Sequence, residues 1–184
     1  MSTIILTAGH SSTDPGACSG GHTEAGLMLE LRDVTAEMLR DLGHVVIEDG
    51  GDGENLPLRH AISLSEQAAI AVELPTNASD NPTARGVEAI SLPDQRRLSQ
   101  RLAQRVADVL GTRVRGAGGW IDQSQSARGR LGYVNAGGVI LETFFISNPI
   151  EREAYFARLP EVAGAIADAI HLKSREASPF RGRR

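Results

Sequence analysis

Ile4-Ile5-Leu6-Thr7-Ala8-Gly9-His10-Ser11-Ser12-Thr13-Asp14-Pro15-Gly16-Ala17 is the stretch that decides the fold of this chain. Ile4-Ile5-Leu6 is a short apolar run and reads as a buried strand, and the Gly-, Ser- and Pro-rich cluster behind it reads as a loop. In α/β folds, chemistry gathers just beyond the carboxyl ends of strands. His10, flanked by Gly9 and by Asp14-Pro15-Gly16, therefore stands where a ligand or a metal would be met. The plain alternative is a loop histidine with no task, and the rest of the chain has to decide between the two.

Working outward, Glu24 opens a helical segment with apolar positions Leu27, Leu31, Val34, Met38 and Leu39, Thr23 as its N-cap and Gly43 as its stop. Val45-Val46-Ile47 reads as a second strand, and Leu56 to Ala69 as a helix with Pro57 in its first turn. Ile70 to Leu74 is a third strand, Gly86 to Ser91 a fourth, and Pro93 starts a long amphipathic helix that Gly111 ends. Gly116 to Gly132 is a Gly-, Gln- and Ser-rich connection, long enough to suggest a functional loop. Val139 to Ile146 is the last strand, and Ile150 to Leu172 a helical region broken near Pro160. Strands alternating with helices predict the α/β class: a single domain with a mixed, mainly parallel sheet flanked by helices on both faces.

The 184 residues suffice for one proper core, with no internal repeat. A formal net charge of −4 gives no overall attraction to nucleic acid or anionic lipid. The division expected is one folded domain over 1–172 and a basic, flexible C-terminal tail over 173–184, carrying Lys173, Arg175, Arg181, Arg183 and Arg184. One cysteine, Cys18, excludes an internal disulfide framework and a cysteine-based zinc knuckle. No apolar run approaches the roughly 18–20 residues of a membrane span, and the start lacks a signal-peptide pattern. The expectation is a monomer made in the cytoplasm, without stable membrane insertion, which something else must deliver to any target outside.

Polar groups at strand ends carry the chemistry. His10 follows the first strand, Glu24 opens the first helix, Glu73 to Asn77 straddle the end of the third strand, and Glu142 lies inside Val-Ile-Leu-Glu-Thr-Phe-Phe-Ile. A carboxylate in such a run is expensive to bury unless it is paired, hydrogen-bonded or near a cation. A structural ion pair would explain it; a functional carboxylate facing a metal or water explains it better. Trp120 in the long loop can stack on a ligand or simply anchor the loop.

His10, Glu24 and Glu142 together resemble the zinc-dependent N-acetylmuramoyl-L-alanine amidases, in particular the compact phage and bacterial cell-wall amidases. The landmarks are Thr7-Ala8-Gly9-His10 with Asp14-Pro15-Gly16-Ala17, Glu24 at a helix start, Asn77-Ala78 after a strand, Ala84-Arg85-Gly86-Val87-Glu88, and Leu141-Glu142-Thr143-Phe144-Phe145-Ile146-Ser147-Asn148-Pro149. They run in order over nearly the whole chain. The resemblance implies a mixed sheet between helices and a mononuclear zinc hydrolase acting on peptidoglycan. It implies His10 and Glu24 as zinc ligands, with zinc lowering the pKa of its water and polarising the scissile carbonyl. It implies Glu142 as the catalytic carboxylate that moves the water's proton to the leaving amine. The bond cut would join the lactyl group of N-acetylmuramic acid to the L-alanine of the stem peptide. Asn77, Arg128 and Arg130 are the expected substrate-binding residues, a guanidinium being suited to a stem-peptide carboxylate.

One position departs from the family. Its second zinc histidine stands two residues before the Asn-Ala pair, and this chain has Pro75 there, with no donor atom. Loss of one ligand weakens zinc affinity by about two decades or more. Glu73 shares the face of Pro75 but lies one residue pair deeper, roughly 6–7 Å away; His22 and Cys18 belong to the loop between His10 and Glu24. A two-ligand site completed by water, or no metal, is expected over a clean substitute. Two functions follow: a phage-type lytic amidase (an endolysin) reaching the wall through a partner pore or by lysis, or a non-catalytic amidase fold that holds wall fragments or a protein partner. A third possibility makes Pro75 a substitution in an active parent.

Overall fold

The structure, a computed structural model, describes residues 2–51, 53–126 and 129–177. The first strand, β1 (Thr3–Ala8), is buried from Ile4 onward. A short hairpin, β2 (Cys18–Ser19) with β3 (His22–Thr23), leads into α1 (Glu24–Asp41), whose N-cap Thr23 accepts a hydrogen bond from the Gly26 amide at 3.2 Å. Then come β4 (Val45–Glu48), α2 (Leu58–Ser65), β5 (Ile70–Leu74), β6 (Glu88–Ser91) and α3 (Arg96–Leu110). Gly111 ends α3 in the left-handed region, at φ 66°, which only glycine adopts at no cost. The chain closes with β7 (Trp120–Asp122), α4 (Gly132–Asn135), β8 (Val139–Glu142), α5 (Pro149–Ala157) and α6 (Leu159–Ala177).

Six strands form one sheet in the order β4-β1-β5-β8-β6-β7. β4, β1, β5 and β8 run parallel, while β6 pairs antiparallel with β8 and parallel with β7. The mixed, mainly parallel α/β sheet expected from the sequence is the one found. Along each central strand, alternate residues face opposite layers. Ile4, Leu6, Val72, Leu74, Val139 and Leu141 face the main core under α1, α3 and α6. Ile5, Ala71, Ile90 and Ile140 face a thinner core under α2 and α4, with Tyr133 and Val134. This thin side matters for function. Its small cover leaves the carboxyl ends of β1, β5 and β8 open above it.

Four expectations need correction. The last strand stops at Glu142, because Phe144 to Ile146 leave the ladder to bond Asn77: the Asn77 amide donates to the Phe144 carbonyl, and the Ile146 amide to that of Asn77. The long connection before α4 contains β7, which adds to the edge of β6. The helix expected over 56–69 is shorter, Leu58–Ser65, because Gln67 and Ala68 bond within turns. The helix expected to end at 172 continues to Ala177, so Lys173 and Arg175 belong to α6 rather than to a tail. Glu176 anchors that last turn, accepting from Arg101 at 2.6 Å with Arg97 at 3.4 Å. Residues 178–184 lie outside the described part. The break in the C-terminal helices falls at Arg158, and Pro160 sits in the first turn of α6, where proline is tolerated. Among the described residues no helix is long and apolar enough to cross a membrane.

Candidate functional site

The ends of β1 and β5 are where the chain leaves the sheet in opposite directions, toward β4 and toward β8, and such switch points open a crevice. His10 sits at this crevice with φ 65°, a backbone conformation unusual outside glycine. It is held from below. Buried Asn55 donates its amide to the His10 carbonyl at 3.0 Å, and the Gly9 amide donates to the Leu74 carbonyl at 2.9 Å. The segment bearing Asn55 is fixed in turn by Arg32, which is fully buried and donates to Asp49 Oδ1 and to the Glu54 carbonyl, both at 2.8 Å. The same Asp49 oxygen accepts from the Ala8 amide at 3.2 Å, so one buried ion pair braces both sides of the His10 loop.

The His10 ring has a carboxylate at each nitrogen: Asp14 Oδ2 lies 3.1 Å from Nδ1 and Glu24 Oε2 lies 3.2 Å from Nε2. The Glu24 carboxylate in particular, helped by Asp14 and opposed by burial, pushes the imidazole pKa up to about 9. Glu24, 3% exposed, is itself oriented by two amides: Oε1 accepts from Thr76 at 2.7 Å and Oε2 from Ala17 at 3.1 Å. Gly16 explains the Asp-Pro-Gly motif. At φ 66° it packs so closely that a Cβ would stand 2.6 Å from His10 Cδ2 and 2.8 Å from Glu24 Oε2.

Around this pair lies a cavity of about 790 Å³, whose walls include His10, Glu24, Glu73, Pro75, Thr76, Tyr133 and Glu142. Glu73 is 7% exposed; burial, then Asp49 and Glu24, push its carboxyl up to about 8, with His10 opposing. Glu142 Oε2 is buried without a hydrogen-bond partner. Burial above all, then Glu24, Glu88 and Glu73, hold its carboxyl well above the usual carboxylate range, so the neutral acid is favoured. Directly across the ladder from Glu142 stands Glu88, which, unlike Glu142 Oε2, is partnered, by Arg115 and by the Asn77 side chain at 3.2 Å.

The structure brings His10, Glu24 and Glu142 together on one cavity, and Arg130 lines the same cavity. Asn77, expected to bind substrate, is not on its wall: its side-chain amide is spent on Glu88, and its backbone ties β5 to the segment after β8. Arg128 lies outside the described residues. Trp120 anchors its loop, donating from Nε1 to Ser91 Oγ at 3.1 Å beneath the Arg96 guanidinium. His22 packs on Phe156, and neither it nor exposed Cys18 reaches the cavity. Sequence reasoning missed Arg59, which lines the cavity from the first turn of α2, and the bracing pair Arg32–Asp49. The only sequence signal for Arg59 was its place just after Pro57 at a helix start.

Zinc is the group that the resemblance calls for, and the donors can be compared with that demand. An open catalytic zinc site takes three protein ligands. His10 and Glu24 are two converging donors. Pro75, at the end of β5, offers only a ring, and its carbonyl accepts from the Thr143 amide at 3.1 Å and hydroxyl at 3.0 Å. Among the described residues no three His, Cys, Asp or Glu side chains form a group able to hold a metal ion. The three-ligand site does not fit this chain.

Residues 4–172 match the family model described as N-acetylmuramoyl-L-alanine amidase. A Neisseria meningitidis protein described as an N-acetylmuramoyl-L-alanine amidase is 41% identical, with a TM-score of 0.88 over 95% of this chain and 96% of that one. The catalytic domain of CwlV, an N-acetylmuramoyl-L-alanine amidase from Bacillus (Paenibacillus) polymyxa var. colistinus, shares the fold at 22% identity and TM-score 0.76, over 95% and 99% of the two chains. So does the catalytic domain of the CD27L endolysin targeting Clostridia difficile, at 23% and 0.68 over 92% and 97%. No curated protein matches the chain. By the family match and by the 41% identity over almost its full length, this chain belongs to the N-acetylmuramoyl-L-alanine amidase family.

Proposed function

We propose that this protein acts on peptidoglycan, hydrolysing the amide between N-acetylmuramic acid and the L-alanine of the stem peptide, with Glu142 as the proton-transfer group. The observation that carries this reading is Glu142 itself: a buried carboxyl with an unpartnered oxygen, on a cavity shared with His10 and Glu24. A fold tolerates such a group at a cost of several kcal/mol only where something is gained from it. In the reaction, water adds to the lactyl carbonyl carbon, the C–N bond breaks, and the proton lost by the water ends on the leaving amine. As the carboxylate, Glu142 takes the proton of the attacking water, and as the acid so formed it gives that proton to the leaving amine. His10, fixed by Glu24 and Asp14, shapes the wall on which the carbonyl lies. Glu88, on the neighbouring strand, is paired with Arg115.

Pro75 favours a second reading, in which the cavity holds wall fragments without cutting them, because the family's zinc chemistry lacks a ligand here. Clearing of purified peptidoglycan by this protein, by Glu142→Gln and by Pro75→His separates the two. The hydrolase reading expects clearing by the parent, its loss in Glu142→Gln and its increase in Pro75→His. Binding without clearing by all three selects the second reading.

A further inference from the structure

Apart from the carboxylates at the sheet end, the cavity has a second charged wall. Arg59, in the first turn of α2, and Arg130, just before α4, both line it and both are exposed. Arg32, Arg40, Arg97, Arg101, Arg105 and Arg115 each face a carboxylate within 4.0 Å; Arg59 and Arg130 have none among the described residues. Their placement is fixed by the fold. Gly132 approaches α2 so closely that a Cβ would lie 2.7 Å from Ile62 Cδ1, and Ile62 is one helical turn beyond Arg59 on the same face. The Leu131 amide, next to Arg130, donates to Gln123 Oε1 at 3.1 Å. The packing of α2 against α4 thus brings two guanidiniums that face no carboxylate to the cavity that Glu24, Glu73 and Glu142 also line.

We propose that Arg59 and Arg130 are the specificity-determining pair of this site, selecting stem peptides whose glutamate carboxylates are free over those in which they are amidated. The proposal rests on the peptidoglycan reading above and adds to it the direction of binding. Two guanidiniums that face no carboxylate draw an acidic peptide to their side of the cavity. Carboxylates seated on the α2–α4 wall leave the neutral amide facing Glu142. Guanidinium pairs bind carboxylates in a planar, bidentate manner, while an amide in the same place presents an N–H donor to another donor.

The test is calorimetric binding of N-acetylmuramoyl-L-alanyl-D-glutamate, with both glutamate carboxylates free or both amidated, to the full chain carrying Glu142→Gln to prevent turnover. The free form is expected to bind about tenfold tighter or more. Arg59→Gln and Arg130→Gln should each lower that preference, the double variant should erase it, and affinity for the amidated form should not change. Arg97→Gln, an exposed arginine on α3, is the control and should leave the preference intact. A preference that survives in the double variant, or an equal loss for both ligands, overturns the proposal. If neither ligand binds while peptidoglycan is still cut by the parent at L-alanine, the arginine pair is refuted and the hydrolase reading stands. If neither binds and nothing is cut, both fall.

Discussion

Pro75→His places an imidazole where this chain lacks a donor, and the structure sets the size of its effect. Residue 75 is already beside the pair it would complete: a Cβ on Gly9 would stand 3.0 Å from both Cα and Cβ of Pro75, and the next amide, of Thr76, bonds Glu24 Oε1 at 2.7 Å. Pro75 lines the same cavity as His10 and Glu24, so an imidazole there adds a third donor to that cavity. Complete four-ligand zinc sites are worth about 10–16 kcal/mol, so one ligand contributes about 2.5–4 kcal/mol. At 1.4 kcal/mol per decade, zinc should bind Pro75→His about two to three decades tighter than the parent. Competition against a chromophoric chelator, with metal content after dialysis, measures this directly. Because His10 holds its proton up to about pH 9, binding releases a proton and should strengthen as pH rises toward that value in both proteins. Equal zinc affinity in the two proteins, with both folded, would refute the assignment of residue 75. A parent already holding one zinc tightly would do the same, and Glu73, on the same cavity, would become the residue to replace.

Three further outcomes are expected. Glu142→Gln should lower peptidoglycan turnover by about 10²–10⁴-fold. Its melting temperature should not fall, since the oxygen replaced has no partner. Glu73, raised from 4.5 to about 8, keeps in the folded protein a proton that the unfolded chain releases above about pH 4.5. Stability should therefore decline between those values, and Glu73→Gln should recover on the order of a few kcal/mol above pH 8 and nothing near pH 4. The decline that remains should follow His10, whose pairing stabilises the fold fully below about pH 6.5 and is lost as pH rises through about 9. Arg32→Ala leaves Asp49 buried without its cation and should cost about 3–5 kcal/mol in denaturant unfolding.

Much of this site was legible because its residues lie where sequence patterns change. Ile4-Ile5-Leu6 is apolar on both faces, as a central parallel strand must be, and Gly9 marks where the chain turns toward His10. Thr23 before Glu24 carried the start of α1, and a lone carboxylate in an apolar run pointed to Glu142. What stayed hidden depends on distant partners. β7 is three half-buried residues that become a strand only on the edge of β6. Phe144 to Ile146 looked like more strand because burial alone gives the same apolar run; Phe144 is covered by the Tyr155 ring at 4.6 Å rather than by ladder neighbours. The antiparallel direction of β6 leaves no local mark, so the meeting of Glu88 with Glu142 could not be read. Arg32 carries no local sign of burial in its own segment; Asp49, 17 residues on, is what permits it. Arg59 and Arg130 are far apart in sequence, and the packing of α4 against α2, with Gly132 close to Ile62, brings them to one cavity.

Digestion of purified peptidoglycan followed by mass spectrometry of the released peptides tests the central claim most directly. The account predicts stem peptides with a free amino group on L-alanine and glycan strands with an intact lactyl carboxylate. It predicts their release by the parent, faster release by Pro75→His, and release at least about a hundredfold slower by Glu142→Gln. Peptides still joined to muramic acid in all three digests, or equal release by Glu142→Gln and the parent, would contradict it.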